Sequence, residues 1–538
     1  MHAALAIDEI LRNVVSDAEL TAGDLAAAAE TCRSWSDPSL DELWQSLHSL
    51  GPLISVLPHD LLTCRFTTRR DQNLLPEVVL EMKRSFIESD WVAFRKYSSR
   101  VRTLWGSLDQ MLRKTPEGNQ TMMMVIAPDL LEALAFPNSP KGLFPKLRKV
   151  AWLNANINNA KLLHLLVVPS LTTLHLPGFN CSCVQHQEVY GDVVDILDQL
   201  GDLCPEMRSF YFLYSLAHVP EAAAAVSRTM RTWDHLESIG CRVPDVPSLG
   251  HLSEVASLRH LQLHLPYESF RTRLPIHLDQ LETLFLSGSP ADMTNLLECE
   301  DGQLRIWRFE SQALYSPDRD DVRKLLSALQ ERCCHDSLRM LSIQEYHHSL
   351  LPPVVRTEFF GITAHMLQPA MSFHELERVY IDTPRAISLD DEDLITLARA
   401  WPKAKFVEIN PSIGWIAESR VSLKGLVEVL KVLPQLERLA VSVDARVLTP
   451  PSSEISEEGQ AQPLAGFVHG RLASLDLLDS RVGEEYDQVA AYLFKFVCPP
   501  KCRITVWEQP RILSRVVQAA EICQARWQRV FDLLADMH

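Results

Sequence analysis

Two hydrophobic rhythms divide the chain. In the first fifty residues, apolar positions recur at i, i+3, i+4 and i+7, the spacing that lines one face of a helix. The sets are Ile7, Ile10, Leu11 and Val14; then Leu25, Ala28, Ala29 and Cys32; then Leu40, Leu43, Trp44 and Leu47. This predicts three short helices, each with one buried stripe. Asp24 is placed to cap the second, and Asp37-Pro38 reads as the N-cap and first helical residue of the third. Helices this short are marginal alone in water, so the unit needs mutual packing and a partner or the following domain to cover what remains apolar.

From about residue 100 the rhythm becomes apolar, two variable, apolar, one variable, apolar, which is a short strand with one buried face. Copies begin at Leu147, Leu171, Met207, Leu258, Leu281, Leu304 (as Leu304-Trp307-Phe309), Leu338, Leu376, Ala404, Leu436 and Leu472, with weaker ones at Leu236-Ile239 and Ile504-Val506. Helical stretches are predicted between them at 192–203, 320–332, 389–401, 422–433 and 486–497. Proline phrases (Cys204-Pro205, Trp401-Pro402, Leu433-Pro434, Cys498-Pro499) stop several helices before the next strand. Start-to-start spacing runs from about 22 to 38 residues, straddling the roughly 20 to 29 of regular leucine-rich repeats. The predicted fold is therefore of the α/β class, an all-α N-terminus followed by an irregular leucine-rich-repeat solenoid curved into a horseshoe.

In such a solenoid the positions between the buried strand residues line the concave face, where adjacent repeats make one binding surface. They include His260, Gln262, His264, Phe285, Arg308, Glu310, Arg378, Tyr380, Asp382, Phe406 and Glu408. Their mixture of Arg, Tyr and Phe suits a protein or peptide ligand, and a solvated sheet face accounts for most of them individually as well. The stretch 449–463, TPPSSEISEEGQAQP, reads as a disordered acidic loop, and 512–537 as an amphipathic capping helix or pair with Val516, Ile522, Trp527, Val530 and Leu533.

The N-terminal helices resemble the F-box family. Ile7-Asp8-Glu9-Ile10-Leu11 opens the motif, Thr21 to Leu25 starts its second helix, Cys32-Arg33-Ser34-Trp35 closes that helix, and Leu43-Trp44 anchors the third. The family's usual opening Leu-Pro is replaced by Ala6-Ile7. The next segments, LGPLISVL at 50–57 and the run around Asp90-Trp91, Phe94, Tyr97 and 100–104, are similar to the F-box proteins of mushroom-forming (basidiomycete) fungi, which continue into degenerate leucine-rich repeats. The resemblance implies a non-catalytic adaptor: an F-box at 1–48 that docks Skp1 within a cullin-type ubiquitin ligase, a helical linker at 49–100, and a repeat array at 101–511 that presents a protein target. Ile7, Glu9, Val15, Leu20, Trp35 and Trp44 would face the adaptor or support that contact. The alternative is a scaffold unconnected to ubiquitin whose N-terminal helices only cap the array.

Composition narrows the partners. With 52 Lys and Arg against 69 Asp and Glu, the net charge of −17 opposes phosphate-backbone binding, so nucleic acid is not expected. No long apolar run suggests a membrane span, and no signal sequence is recognisable, which places the expected protein in the cytoplasm or nucleus. The 12 cysteines are scattered and expected to be free and mostly buried. Cys181, Cys183 and His186, and Cys333-Cys334-His335, lack four ligands at zinc spacing, and His347-His348 lacks a zinc-protease helix motif. No metal, cofactor or catalytic constellation is expected.

Overall fold

A computed structural model describes residues 7–67, 76–114, 121–135, 142–153, 161–176, 187–213, 219–242, 244–265, 277–299, 302–314, 318, 320–346, 361–412, 414–446, 469–497, 502–506 and 517–537. Cys181, Cys183, His186, His347, His348 and the stretch 449–463 lie outside the described residues. The chain divides into two units, Met1–Leu258 and Arg259–His538.

The first unit opens with helices α1 (Asp8–Val15), α2 (Ala22–Thr31) and α3 (Arg33–Gln45). Three helices form as predicted, with different edges. Thr21, not Asp24, is the N-cap of α2: Thr21 Oγ1 accepts from the Asp24 amide while the Asp24 carboxylate accepts from the Thr21 amide, a capping box. Helix α3 begins at Arg33 and carries Pro38 inside it. Cys32 is extended (φ −163°), so the chain breaks there and the helix restarts five residues before the proline. The buried edge of α1 is Leu11 and Val15, while Ile7, Ile10 and Val14 face outward. Arg12 fixes that rotation by reaching Asp8 at 2.7 Å and Asp41 of α3 at 3.0 Å.

Six parallel strands follow in register: Ser46–Leu47, Thr103–Gly106, Lys149–Trp152, Thr173–Leu176, Ser209–Phe212 and Ser238–Arg242. The segment 49–100, expected to be a helical linker, instead contributes strands Leu62–Thr67 and Glu77–Met82 to a separate four-stranded sheet with Thr121–Ile126 and Gln110–Lys114. β-Branched and alternating positions, such as Val78 and Leu80 buried between half-buried neighbours, decide this in favour of strand. Helix Asp90–Ser98 is the main helix of the segment, and Trp91 and Phe94 are buried in it.

Among the described residues, the main sheet of the second unit has nine parallel strands: His260–His264, Thr283–Gly288, Arg308–Leu314, Met340–Tyr346, Arg378–Asp382, Phe406–Ile409, Arg438–Ala440, Ser474–Asp476 and Arg503–Thr505. Each repeat lays two or three side chains against the helical layer: Leu261 and Leu263, Leu284 and Leu286, Val379 and Ile381, all buried. Burying each contributes roughly 1.5–3 kcal/mol. Doubling a connecting loop costs only about 0.6 kcal/mol, which is why the period can wander without breaking the ladder. One copy is framed differently from the sequence reading. Trp307 is exposed and the buried set is Ile306, Phe309 and Ser311, so a serine fills the third apolar slot between Leu286 and Ile343 on the neighbouring strands.

Helices run at Asp321–Arg332, Asp391–Ala400 and Leu423–Val432, and the last two stop just before Trp401-Pro402 and Leu433-Pro434. The C-terminal helix Val517–Met537 buries Trp527, Val530 and Leu534, and the Trp527 indole donates to the Ser480 carbonyl at 2.9 Å. Two short parallel strand pairs, Ile362–Thr363 with Ile387–Ser388 and Asp444–Ala445 with Arg481–Val482, form separate two-stranded sheets that the apolar pattern did not predict.

Candidate functional site

Strand alternation sorts the second unit's face into rows. The first row reads His260, Thr283, Arg308, Met340, Arg378, Phe406, Arg438, Ser474 and Arg503; the second reads Gln262, Phe285, Glu310, Ser342, Tyr380, Glu408, Ala440, Asp476 and Thr505. His264, Ser287, Gln312, Gln344 and Asp382 form a third. All eleven candidate residues on the repeats therefore fall on one face, most of them half-buried, with strand spacing of about 4.8 Å between neighbours.

Their chemistry is laterally paired. Arg308 bonds Glu310 on its own strand, and Arg438 reaches Glu408 of the adjacent strand at 3.4 Å. Arg378 lies over the Phe406 ring, 4.3 Å from guanidinium carbon to centroid, a cation–π contact. Tyr380 donates to Asp382 at 3.3 Å, and burial, reinforced by the Asp382 charge, pushes its hydroxyl up to about 12. His260 meets Thr283 Oγ1 at 2.9 Å and His264 meets Ser287 Oγ at 2.9 Å. Positive charge concentrates in the first row and negative charge in the second and third. Arg438 and Arg503, on strands of three residues, complete the first row and were not among the candidates, although the apolar pattern marks both strands.

The equivalent face of the first unit went unread. There His175 bonds Ser209 Oγ at 2.7 Å and packs edge-on against Tyr211 at 4.5 Å, while the Tyr211 hydroxyl meets Ser238 Oγ at 2.6 Å. Burial lowers His175 to about 4, so it is neutral at physiological pH. Gly240 is required beneath: a Cβ there would stand 2.3 Å from the Tyr211 ring.

The N-terminal candidates divide. Ile7, Glu9 and Leu20 are exposed, Val15 is buried, and Trp35 and Trp44 are half-buried. Trp44 packs against Tyr97 at 4.4 Å and lines an apolar cleft of about 600 Å³ with Leu47, Met111 and Leu112. Exposed Ile7, Ile10 and Val14 form one outward stripe, continued in sequence by exposed Leu20.

Eight described cysteines are free; Cys204, Cys241 and Cys333 are buried, and burial pushes each thiol up to about 12. In the Cys333-Cys334-His335 run, the His335 ring bonds the Gln330 carbonyl at 2.9 Å. No group of three or more metal-ligating side chains gathers among the described residues, and none of their helices is long and apolar enough to cross a membrane.

Fold and register define a repeat protein of mixed α/β class built on parallel strands. No protein-family model matches the chain, and no curated protein matches it. Among solved structures, the crystal structure of an internalin (InlF) from Listeria monocytogenes is similar, with 12% identity and a TM-score of 0.28 over 72% of this chain and 86% of that chain.

Proposed function

We propose that this chain is the non-catalytic, target-selecting adaptor of a Skp1-cullin-F-box type ubiquitin ligase, acting in the cytoplasm or nucleus. Its N-terminal helices dock a Skp1-like partner and the repeat face holds a protein target. The observation that carries the reading is the outward stripe on α1. Ile7, Ile10 and Val14 at i, i+3 and i+7 are 47%, 37% and 40% exposed. A helix and N-cap that turn Ile7, Ile10 and Val14 to solvent while burying only Leu11 and Val15 have a face fitted to a partner. The test is co-purification of the full chain with Skp1. A stoichiometric complex is expected, lost in Ile10→Asp with the thermal transition unmoved; no complex with the intact chain overturns the proposal.

A second reading, a scaffold whose N-terminal helices cap the repeats, is favoured by how α3 joins the first sheet. Arg100 pairs with Asp37 at 2.7 Å and with Asp41, the Arg102 amide donates to the Gln45 carbonyl at 2.8 Å, and Trp44 stacks on Tyr97. Under that reading Trp44→Ala lowers stability while Ile10→Asp changes no interaction.

A further inference from the structure

A polar cleft of about 510 Å³ opens in the helical layer of the second unit, lined by Arg323, Ser327 and Gln330 of helix Asp321–Arg332 and by Gln368, Ser372 and His374 of the following turns. None of these residues is on a strand, so the cleft is separate from the face assigned to the target. Arg323, Ser327 and Gln330 stand at i, i+4 and i+7, one side of the helix. The opposite side buries Leu325, Leu326 and Leu329.

The electrostatics of this cleft are one-sided. Its lining holds a guanidinium, two hydroxyls, two carboxamides and an imidazole, and no carboxylate. Arg323 Nε is buried and has no hydrogen-bond partner among the described residues, and Arg323 makes no ion pair there either. The side chain as a whole is half-buried and its charge is uncompensated among the described residues, so the cleft presents a cation with no acid beside it. The neighbouring groups are already held in place: Gln330 donates its amide to Ser372 Oγ, and His374 Nδ1 donates to the Ala400 carbonyl at 3.0 Å, which leaves the other ring nitrogen for a ligand.

We propose that this cleft binds a phosphate monoester. An arginine guanidinium matches phosphoryl oxygens bidentately, and the hydroxyl and carboxamide donors around it serve the remaining oxygens. The volume is several times that of a phosphoryl group alone, so it accommodates the organic part of the ester, whether a small molecule or a phosphorylated side chain.

The experiment is calorimetric titration of the full chain at low ionic strength with phenyl phosphate, a phosphoserine peptide and benzoate. Saturable one-site binding of phenyl phosphate identifies a small-molecule site. Binding of the phosphoserine peptide alone identifies a polypeptide source, and either result supports the assignment. Arg323→Ala is expected to weaken binding about 10-fold or more, the scale of a charge-assisted hydrogen-bonded pair. Arg323→Lys keeps the charge and the stem but not the fork, so it guards against a folding failure and should weaken binding several-fold. No saturable binding of either phosphate monoester, unchanged affinity in Arg323→Lys, or benzoate binding as tightly as phenyl phosphate overturns the proposal.

Discussion

Replacing Arg385 by Met should be among the most damaging single changes in the second unit. Arg385 and Glu345 are 0% and 1% exposed, with Nε 2.7 Å from Oε2 and Nη2 2.9 Å from Oε1. A third nitrogen donates to the Asp318 carbonyl at 3.2 Å, and the Arg385 main-chain carbonyl accepts from Asn410 at 2.9 Å, so one residue ties several repeats together. Removing one partner of such a pair strands a buried charge, and the loss should be about 3–5 kcal/mol. Replacing both, as in Glu345→Leu with Arg385→Met, removes the stranded carboxylate and should recover most of that. Urea unfolding followed by tryptophan fluorescence reads both values, since Trp401, Trp415 and Trp527 are fully buried in this unit. The pH dependence has a definite sign. Burial pushes the Glu345 carboxyl up, opposed in the native protein by the Arg385 hydrogen bonds and charge. In Arg385→Met burial and the nearby Asp321 charge remain, and both push the same way, so the folded pKa lies above the unfolded value of about 4.3. The penalty is then full above the folded pKa and vanishes below the unfolded one, so the gap to the parent should narrow on acidification from pH 7 toward 4. A single variant within about 1 kcal/mol of the parent, or a double variant no better than the single, refutes the reasoning.

Two further changes test the same unit. Asn410 sits in the left-handed region (φ 54°), is fully buried, and serves the Thr383 amide at 2.9 Å and the Arg385 and Gly414 carbonyls at 2.9 and 3.0 Å. Asn410→Ala should lose roughly 3 kcal/mol and Asn410→Gly about 1 kcal/mol less, because glycine relieves the backbone; thermal melts should rank parent, Gly, Ala. Ser311 Oγ is buried with no hydrogen-bond partner among the described residues, so Ser311→Ala should raise the urea midpoint by roughly 1 kcal/mol equivalent, and a loss would show that the hydroxyl is satisfied.

The strand ladder was legible because each repeat announces itself in three side chains over six residues, and Leu171-Leu174-Leu176 or Leu376-Val379-Ile381 cannot face the core in any other register. The pattern misleads where a slot is not apolar: Ser311 breaks it, and Leu304-Trp307-Phe309 imitates it two residues early. In the N-terminal helices periodicity placed the elements but not their rotation. On a helix eight residues long, Leu11 serves a stripe with Ile7 and Val14 as well as one with Val15, and the Arg12 to Asp41 contact that chooses between them spans 29 residues. Arg385 with Glu345, 40 residues apart, and the Arg323 cleft were invisible for the same reason.

These long-range contacts bear on which part of the sheet face can discriminate between partners. Arg308 and Arg438 are already matched to acids on a half-exposed surface, where such pairs are worth about 0–1 kcal/mol, and a ligand would gain little by displacing one carboxylate with another. Arg378 is different: its guanidinium lies on Phe406 rather than on a carboxylate, on the same strand face as the half-buried Tyr380. An aromatic-backed arginine next to a tyrosine is the kind of pair that dominates interface energies. Both lie on strand Arg378–Asp382, which is followed at once by Thr383, anchored through Asn410, and by Arg385, anchored through Glu345. The two buried polar clamps therefore fix the end of the strand that carries Arg378 and Tyr380. Polar burial at that point is costly in a leucine-lined array, and under the proposed function its return would be the rigid presentation of those two side chains.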